Sequence, residues 1–159
     1  MRVNELMQSQ VQSCRLDTNL ETVAMLMWNN DCGAIPVVDD AGSPIAMVTD
    51  RDISIGSALN HKPLWDITVQ QVKNDSELLS CNGEDDLQAA LSIMHAGQIR
   101  RLPVVDDEGV LEGIISMGDL ILAARPKKTR NSAVSYDEVM STLKTVSLPE
   151  KISADVIAL

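Results

Sequence analysis

Two kinds of hydrophobic pattern alternate along the chain. Apolar residues recur at i, i+3, i+4 and i+7 from Leu20 to Met27, and again from Leu87 to Met94. This period is typical of an amphipathic helix, so each stretch predicts a helix with one buried face. Short apolar runs of β type surround these helices and predict strands at 11–15, 35–38, 45–48, 78–82, 102–105 and 113–115.

Polar residues mark the beginning of the two helices that the apolar period predicts. Thr18 stands three residues before Glu21, and Asp85 stands three residues before Gln88. This is capping-box spacing, in which a side chain at the N-cap and one three residues later satisfy free backbone N–H groups. We therefore expect Thr18 and Asp85 to be N-caps.

The order of helix and strand patterns in the first part of the chain occurs a second time, 67 residues later. Pro36 to Asp40 read Pro-Val-Val-Asp-Asp, as do Pro103 to Asp107, and Gly42 has its equivalent in Gly109. Each copy has the predicted order β-α-β-β-α, and a unit of that size buries little apolar surface alone. We therefore expect an α/β (α+β) fold in which two pseudo-symmetric units pack through their sheets around one shared core.

The repeat predicts three parts of the chain. They are copy 1 at 1–60, copy 2 at 61–123 and a C-terminal extension at 124–159, with a helix near 135–145. Ser135 and Glu138 have the capping-box spacing that would start that helix. Between the copies, Pro63 and Trp65 indicate a packed crossover strand.

Composition narrows the environment and the partners. The formal net charge is −10, and duplex nucleic acid or an anionic membrane surface would need a basic footprint instead. The sequence has no window of about 18 apolar residues, and residues 1–10 lack a basic region followed by an apolar run, so we expect no membrane span and no signal peptide. Three cysteines without CxxC spacing predict free thiols in a reducing cytoplasm. His61 and His95 lack zinc-ligand spacing.

A hydroxyl residue followed by Asp three positions later comes directly after the last predicted strand of each copy. The pairs are Thr49 with Asp52 and Ser116 with Asp119. One interpretation is a helix cap. The other is a ligand site, in which the hydroxyl donates to a phosphate and the carboxylate accepts from ribose hydroxyls. The repeat does not decide between these two interpretations.

Copy 2 also carries two adjacent arginines, Arg100 and Arg101, before a buried strand. They are either a solvated pair or a phosphate clamp, since the guanidinium fork suits oxyanions. Copy 1 has Gly33 and Ala34 at these positions, so an anion site that uses the arginines is not repeated there.

The segments Arg-Arg-Leu-Pro-Val-Val-Asp-Asp-x-Gly and Gly-Ile-Ile-Ser-x-x-Asp, within 100–119, resemble a CBS (cystathionine-β-synthase) domain. The equivalent segments of copy 1, within 34–52, do so as well, and the resemblance covers roughly residues 3–122. It implies a pair of CBS domains, a Bateman module, whose clefts bind AMP, ADP, ATP or a related adenosyl ligand such as S-adenosylmethionine.

The resemblance also implies where the ligand lies. Ser116 and Asp119 would hold phosphate and ribose in one cleft, and Thr49 and Asp52 would serve a second. The full set that it assigns to ligand contact is Met7, Gln12, Cys32, Ala34, Thr49, Asp52, Ile99, Arg100, Arg101, Leu102, Ser116 and Asp119. Ala46 replaces the usual glycine of the motif. We therefore expect the cleft served by copy 1 to bind the nucleotide more weakly than the cleft served by copy 2.

These observations favour a regulatory module that senses an adenine nucleotide and passes the change to an effector protein that the sequence does not identify. The assembly that the resemblance implies is a homodimer. A dimerisation scaffold with empty clefts is the structural alternative. An enzyme such as a nucleotide hydrolase is disfavoured, since no general base or metal cluster accompanies the aspartates; we expect no catalytic cofactor.

Overall fold

The computed structural model describes residues 1–73, 76–126 and 133–147. The helices of these residues are α1 (Leu20–Asn29), α2 (Asp50–Asn60), α3 (Val69–Val72), α4 (Leu87–Gly97), α5 (Met117–Ala123) and α6 (Tyr136–Ser147). The strands are β1 (Ala34–Val38), β2 (Pro44–Thr49), β3 (Cys81–Asn82), β4 (Arg101–Val105) and β5 (Leu111–Ser116), and single 3₁₀ turns lie at Val3–Glu5 and Leu64–Asp66. No helix in this part of the chain has the length and apolar character needed to cross a bilayer.

The sequence repeat is also a repeat of backbone structure, and the α+β class is confirmed. β1 pairs antiparallel with β2, and β4 pairs antiparallel with β5 in the equivalent register. The turn of each hairpin places a glycine in the left-handed region, with φ of 86° at Gly42 and 82° at Gly109. Only glycine adopts this conformation without steric cost, which explains why both turns contain it.

The first helices begin one residue later than the pattern predicted. Asn19 and Asp86 are the N-caps of α1 and α4, so the expectation of Thr18 and Asp85 is wrong. Thr18 instead accepts a hydrogen bond from Arg15 N at 3.0 Å, in the turn that precedes the helix. Residues of this type stabilise turns and caps equally well, so adjacent candidates compete.

The first predicted strand of each copy is much shorter than its apolar run. In copy 2 it is the two-residue β3, parallel to β4. In copy 1 only Cys14 forms a bridge, to Val37 in β1. The predicted crossover strand between the copies is also wrong. Ile67 is buried directly after the 3₁₀ turn and Val69 is buried at the start of α3, whereas Trp65 is exposed.

The segment that precedes each copy packs on the other copy. Val3 N donates to Asp85 O at 2.9 Å, and Gln8 and Ile114 exchange two backbone hydrogen bonds. In the opposite direction, Val69 N donates to Thr18 O at 2.9 Å. This exchange brings residues of the N-terminal segment to the boundary between the copies. The domain boundaries drawn from the sequence stay a prediction.

Buried apolar residues form two clusters, so the expectation of one shared core is wrong. One cluster contains Leu20, Val37 and Val48 of copy 1, and the other contains Leu91 and Leu120 of copy 2. Each small sheet is covered by its own helices, and each copy therefore buries its own apolar face. Between the copies, a cleft remains.

Candidate functional site

The cleft between the copies has a volume of about 550 Å³, within the usual range for a site that holds a small molecule. Three separate parts of the chain form its walls. The N-terminal segment contributes residues of 8–12, the turn after α1 and the start of β1 contribute 30–35, and copy 2 contributes 100–101, Ile114 and 116–119. The cleft therefore exists only because both copies and the exchanged segment meet there.

Seven of the predicted ligand-contact residues line this cleft. They are Gln12, Cys32, Ala34, Arg100, Arg101, Ser116 and Asp119. The structure thus brings together the copy 2 motif and the copy 1 turn, which lie more than 60 residues apart in the chain. The ligand contacts themselves stay predictions.

Ser116 and Asp119 form a capping box at the start of α5. Asp119 Oδ2 accepts hydrogen bonds from Ser116 N at 2.8 Å and from Ser116 Oγ at 2.6 Å. The hydroxyl proton is therefore directed to the carboxylate and not toward the cleft. Asp119 Oδ1 accepts no hydrogen bond from the described residues, so this oxygen can face a ligand.

Thr49 and Asp52 make the same capping box at the start of α2. Asp52 Oδ2 accepts from Thr49 N at 2.8 Å and from Thr49 Oγ1 at 2.7 Å. The cap interpretation therefore holds in both copies. Because the two boxes have the same geometry, only their surroundings can make one of them a ligand site.

The two arginines of the cleft have different surroundings. Arg100 donates from Nε and Nη2 to Val146 O, at 3.4 and 3.3 Å, at the C-terminal end of α6. Arg101 approaches Gly33, where a Cβ would lie 3.7 Å from Arg101 Nη2 and 3.0 Å from Asp50 Oδ2. Arg101 is thus the arginine with more freedom to meet a ligand, and Asp50 Oδ2 lies on the same side of Gly33 as Arg101 Nη2.

The charged side chains that line the cleft balance formally. Arg100 and Arg101 carry two positive charges, and Asp31 and Asp119 carry two negative charges. Val11 and Ile114, both partly exposed, add apolar surface to the cleft. The site therefore combines a local cationic end with apolar surface, although the chain as a whole is acidic.

Five predicted residues lie outside this cleft. Leu102 is fully buried in the core of copy 2, and Ile99 packs against that core. Met7 packs against Gly113, while Thr49 and Asp52 lie on the copy 1 side. The position equivalent to Gln8 in the second cleft is residue 75, which lies outside the described residues. The roles of these residues stay predictions.

Sequence reasoning missed Gln8, Gln10, Asn30 and Asp31, which also line the cleft. For Gln8 and Gln10 the sequence contained one indication, which was the glycine at position 113. A Cβ at Gly113 would lie 2.8 Å from Gln8 O, so the glycine makes room for the N-terminal segment and not for a ligand. Nothing in the pattern showed which segment would approach it.

The three cysteines separate into two buried thiols and one exposed thiol. Burial raises the pKa of Cys14 from 9.0 to about 11. Burial, with a smaller contribution from the charge of Asp85, raises the pKa of Cys81 to about 12. Cys32 is exposed at the rim of the cleft. The described residues contain no cluster of His, Cys, Asp and Glu suited to a metal ion.

The sequence model of the CBS domain family matches residues 3–55 and 69–125, which is most of the chain. The chain belongs to the CBS domain family. CBS domain-containing protein YhcV of Bacillus subtilis is 33% identical over 133 residues, which cover 84% of this chain and 92% of YhcV. Pairs of CBS domains are regulatory ligand-binding modules, and the two repeats of this chain form such a pair.

Solved structures of CBS domain pairs share the fold. Hypoxic Response Protein I, solved with two coordinated zinc ions, aligns with a TM-score of 0.68 at 24% identity, over 77% of this chain and 98% of that one. The CBS domain pair of MJ0100, solved with 5′-methylthioadenosine and S-adenosyl-L-methionine, aligns with a TM-score of 0.66 at 19% identity, over 76% and 92%. At these identities the similarity establishes the fold.

Proposed function

We propose that this chain is a regulatory module that binds an adenine nucleotide in the cleft between its copies and passes its ligand state to a partner protein. The observation that carries the proposal is the convergence of Arg101, Asp119 and the partly exposed apolar side chain of Ile114 in one cleft. A homodimer is the assembly that we expect, and we place the protein in the cytoplasm.

The cleft offers a suitable surface to each part of a nucleotide. Val11 and Ile114, which are partly exposed, provide apolar contact for the adenine ring. Asp119 Oδ1 is the acceptor for the ribose hydroxyls. Arg101 reaches the phosphate, since a guanidinium binds oxyanions through a fork of donors. Ser116 acts indirectly, because its hydroxyl holds the other oxygen of Asp119 at 2.6 Å.

The balance of charge favours a ligand with one phosphate over a triphosphate. Asp31 and Asp119 offset the two arginines, and Arg100 already donates to Val146 O. Each further phosphate therefore adds negative charge without a further cation among the residues that line the cleft. We expect AMP to bind more tightly than ADP, and ADP more tightly than ATP.

The relatives support this ligand class without deciding the ligand. The MJ0100 pair was solved with two adenosyl compounds. S-adenosylmethionine is therefore the alternative ligand to test beside the nucleotides. We propose no catalytic step, because the cleft holds carboxylates that serve as caps and no paired base or metal cluster in the described residues.

Calorimetric titration of the protein with AMP, ADP, ATP and S-adenosylmethionine tests the proposal. We expect micromolar binding of AMP that the double variant Arg101→Ala and Asp119→Ala abolishes. Chromatography of the AMP after several hours should recover it unchanged. Far-ultraviolet circular dichroism of the variant controls for its folding.

Each other result selects an alternative. Binding of S-adenosylmethionine alone would replace the nucleotide by another adenosyl ligand. Conversion of AMP would show an enzyme. No heat from any of the four compounds, with a folded protein, would leave a structural scaffold.

A further inference from the structure

A contact between Arg100 and α6 joins the ligand cleft to the C-terminal helix. Arg100 lines the cleft, and its Nε and Nη2 groups donate to Val146 O in the last turn of α6, at 3.4 and 3.3 Å. The carbonyls of a last turn have no partner within the helix, and a cation beside them is favourable because they carry partial negative charge. One side chain thus touches both the candidate site and α6.

The guanidinium of Arg100 can serve both places at once. It is a planar fork that carries donors on more than one edge. The edge with Nε meets Val146 O, whereas Nη1 donates to no described residue. The edge between Nη1 and Nη2 is therefore available to an oxyanion in the cleft. A phosphate and the end of α6 can bind the same guanidinium on different edges.

Only the side chain of Arg100 has freedom to lose. Its backbone is fixed, because Arg100 O accepts a hydrogen bond from Met117 N, the first residue of α5, at 2.9 Å. The side chain is exposed, and ordering a long exposed side chain costs conformational entropy. Whichever acceptor orders the guanidinium first reduces that cost for the second acceptor, so the two contacts favour each other.

α6 is short enough to respond to a small change in free energy. It has 12 residues, and isolated helices of that length are marginal in water. Its buried face contains Val139, Thr142 and Val146 and packs against α4 and α5. The stability of α6 therefore depends on its docking, and its opening is a local event that can occur without unfolding of the whole chain.

The arginine and the helix occur together in copy 2. α6 packs on α4 and α5, which are helices of that copy. The residue of copy 1 equivalent to Arg100 is Gly33, which has no side chain. The copy that carries the covering helix is therefore also the copy that carries the arginine, as a link between helix and cleft requires.

We propose that Arg100 couples the cleft to α6, so that a phosphate in the cleft orders the guanidinium and thereby stabilises α6 in its docked position. Arg100 is a positioning residue in this arrangement, and Arg101 is the main contact to the phosphate. By linkage, docked α6 raises the affinity for the phosphate by the same factor. The inference deepens the proposed function by naming its regulation, and it rests on the binding of a phosphate-bearing ligand in the cleft.

Hydrogen exchange of the full chain, measured by mass spectrometry on peptides that span α6, tests the coupling. Exchange is followed without ligand, with AMP and with adenosine, at equal occupancy of the two ligands as determined by calorimetry. AMP should slow the exchange of the α6 amides at least about fivefold. Adenosine lacks the phosphate, so it should slow their exchange less than about twofold.

Two variants separate the link from the packing of α6. Arg100→Lys keeps the positive charge and removes the second edge of donors, so bound AMP should slow α6 exchange less than about twofold. Val139→Ala loosens the packing and keeps Arg100. In this variant α6 should exchange faster without ligand, and AMP should still slow that exchange at least about fivefold. Circular dichroism checks that both variants are folded.

The inference is overturned if bound AMP leaves α6 exchange unchanged or speeds it. Calorimetry on the same samples would then still show a nucleotide site, and the proposed function would stand without this link. A full effect with adenosine, or with AMP in Arg100→Lys, also overturns the inference. The absence of heat from AMP would overturn the proposed function and the inference together.

Discussion

The two copies share the residues that shape their turns and helix starts, and they differ in the side chains at the proposed ligand site. Both hairpins use a left-handed glycine, and both second helices start at a capping box with an O–H to carboxylate distance of 2.6 to 2.7 Å. Copy 2 adds two arginines where copy 1 has Gly33 and Ala34. The comparison shows that what the fold requires is kept in duplicate, whereas what contacts a ligand or partner appears once.

The grooves between the two helices of each copy also differ between copy 1 and copy 2. In copy 2 the groove between α4 and α5 is closed by α6, whereas no helix of the described residues covers the groove between α1 and α2 in copy 1. Copy 2 thus contributes both arginines to the cleft and has its helices covered, whereas copy 1 contributes no arginine to the cleft. The predictions below test how far this division holds.

The largest difference should appear in thiol labelling. Cys14 and Cys81 are equivalent buried residues with pKa values of about 11 and 12, whereas Cys32 has no cysteine equivalent and is exposed. At pH 8 the fraction of thiolate is therefore lower than that of a thiol with a pKa of 9.0, by roughly a hundredfold for Cys14 and roughly a thousandfold for Cys81. Mass spectrometry after a maleimide pulse should therefore find label on Cys32.

AMP should slow the labelling of Cys32, since this residue lies at the cleft. Cys32→Ser should remove the fast phase and serves as the control. Raising the pH toward 11 should speed the labelling of Cys14 before that of Cys81. Fast modification of Cys14 at pH 8 would contradict its burial in the folded protein.

Asp119→Ala and Asp52→Ala are a matched pair that separates capping from ligand binding. Each change removes one capping box and should cost about 1 kcal/mol of unfolding free energy, measured by urea denaturation. Asp119→Ala should also weaken AMP at least about tenfold in calorimetry, because it removes the proposed ribose acceptor. If Asp52→Ala weakens AMP equally, the copy 1 cleft binds the nucleotide too.

Gly113→Ala should destabilise the protein by about 1 to 3 kcal/mol, because its Cβ would lie 2.8 Å from Gln8 O and from Met7 Sδ. The N-terminal segment would have to move away from β5, and Gln8 would move with it. Urea denaturation measures the cost. The equivalent change in copy 1 is Ala46→Gly, for which we expect about 0.5 to 1 kcal/mol from backbone entropy; equal costs would argue against close packing at Gly113.

Val139→Ala should cost about 1 to 2 kcal/mol, because Val139 lies on the buried face of α6 and its truncation leaves a small cavity in the core of copy 2. Ile55→Ala on α2 should lie within about 0.5 kcal/mol of the parent, since Ile55 is 46% exposed. Thermal denaturation of both variants measures the contrast. A large cost at Ile55 would show that the α1–α2 surface is already covered in solution.

Much of the fold could be predicted because it follows from local rules. The period of the apolar residues predicted α1 and α4, and the spacing from Thr49 to Asp52 and from Ser116 to Asp119 predicted two capping boxes. The predicted N-caps of α1 and α4 were wrong because neighbouring residues can each cap a helix. Thr18 and Asn19 can both cap a helix, and only packing selected Asn19.

Less of the candidate site could be predicted, because it is made of segments far apart in the chain. Arg101 and Asp119 stood out by residue type, but the positions of Gln8 and Asp31 depend on the exchange of segments between the copies. The partner of Arg100 was also hidden. No spacing rule connects that residue to Val146 O at the end of α6.

The sequence by itself determined the repeat, the elements of each copy, the family and the asymmetry of the arginines, because each of these depends on residue type and local spacing. The tertiary structure alone decided that each copy has its own core, that α6 packs on the helices of copy 2, and that one cleft joins three segments. Those features depend on long-range packing, in which many weak contacts compete and no short pattern records which surface wins.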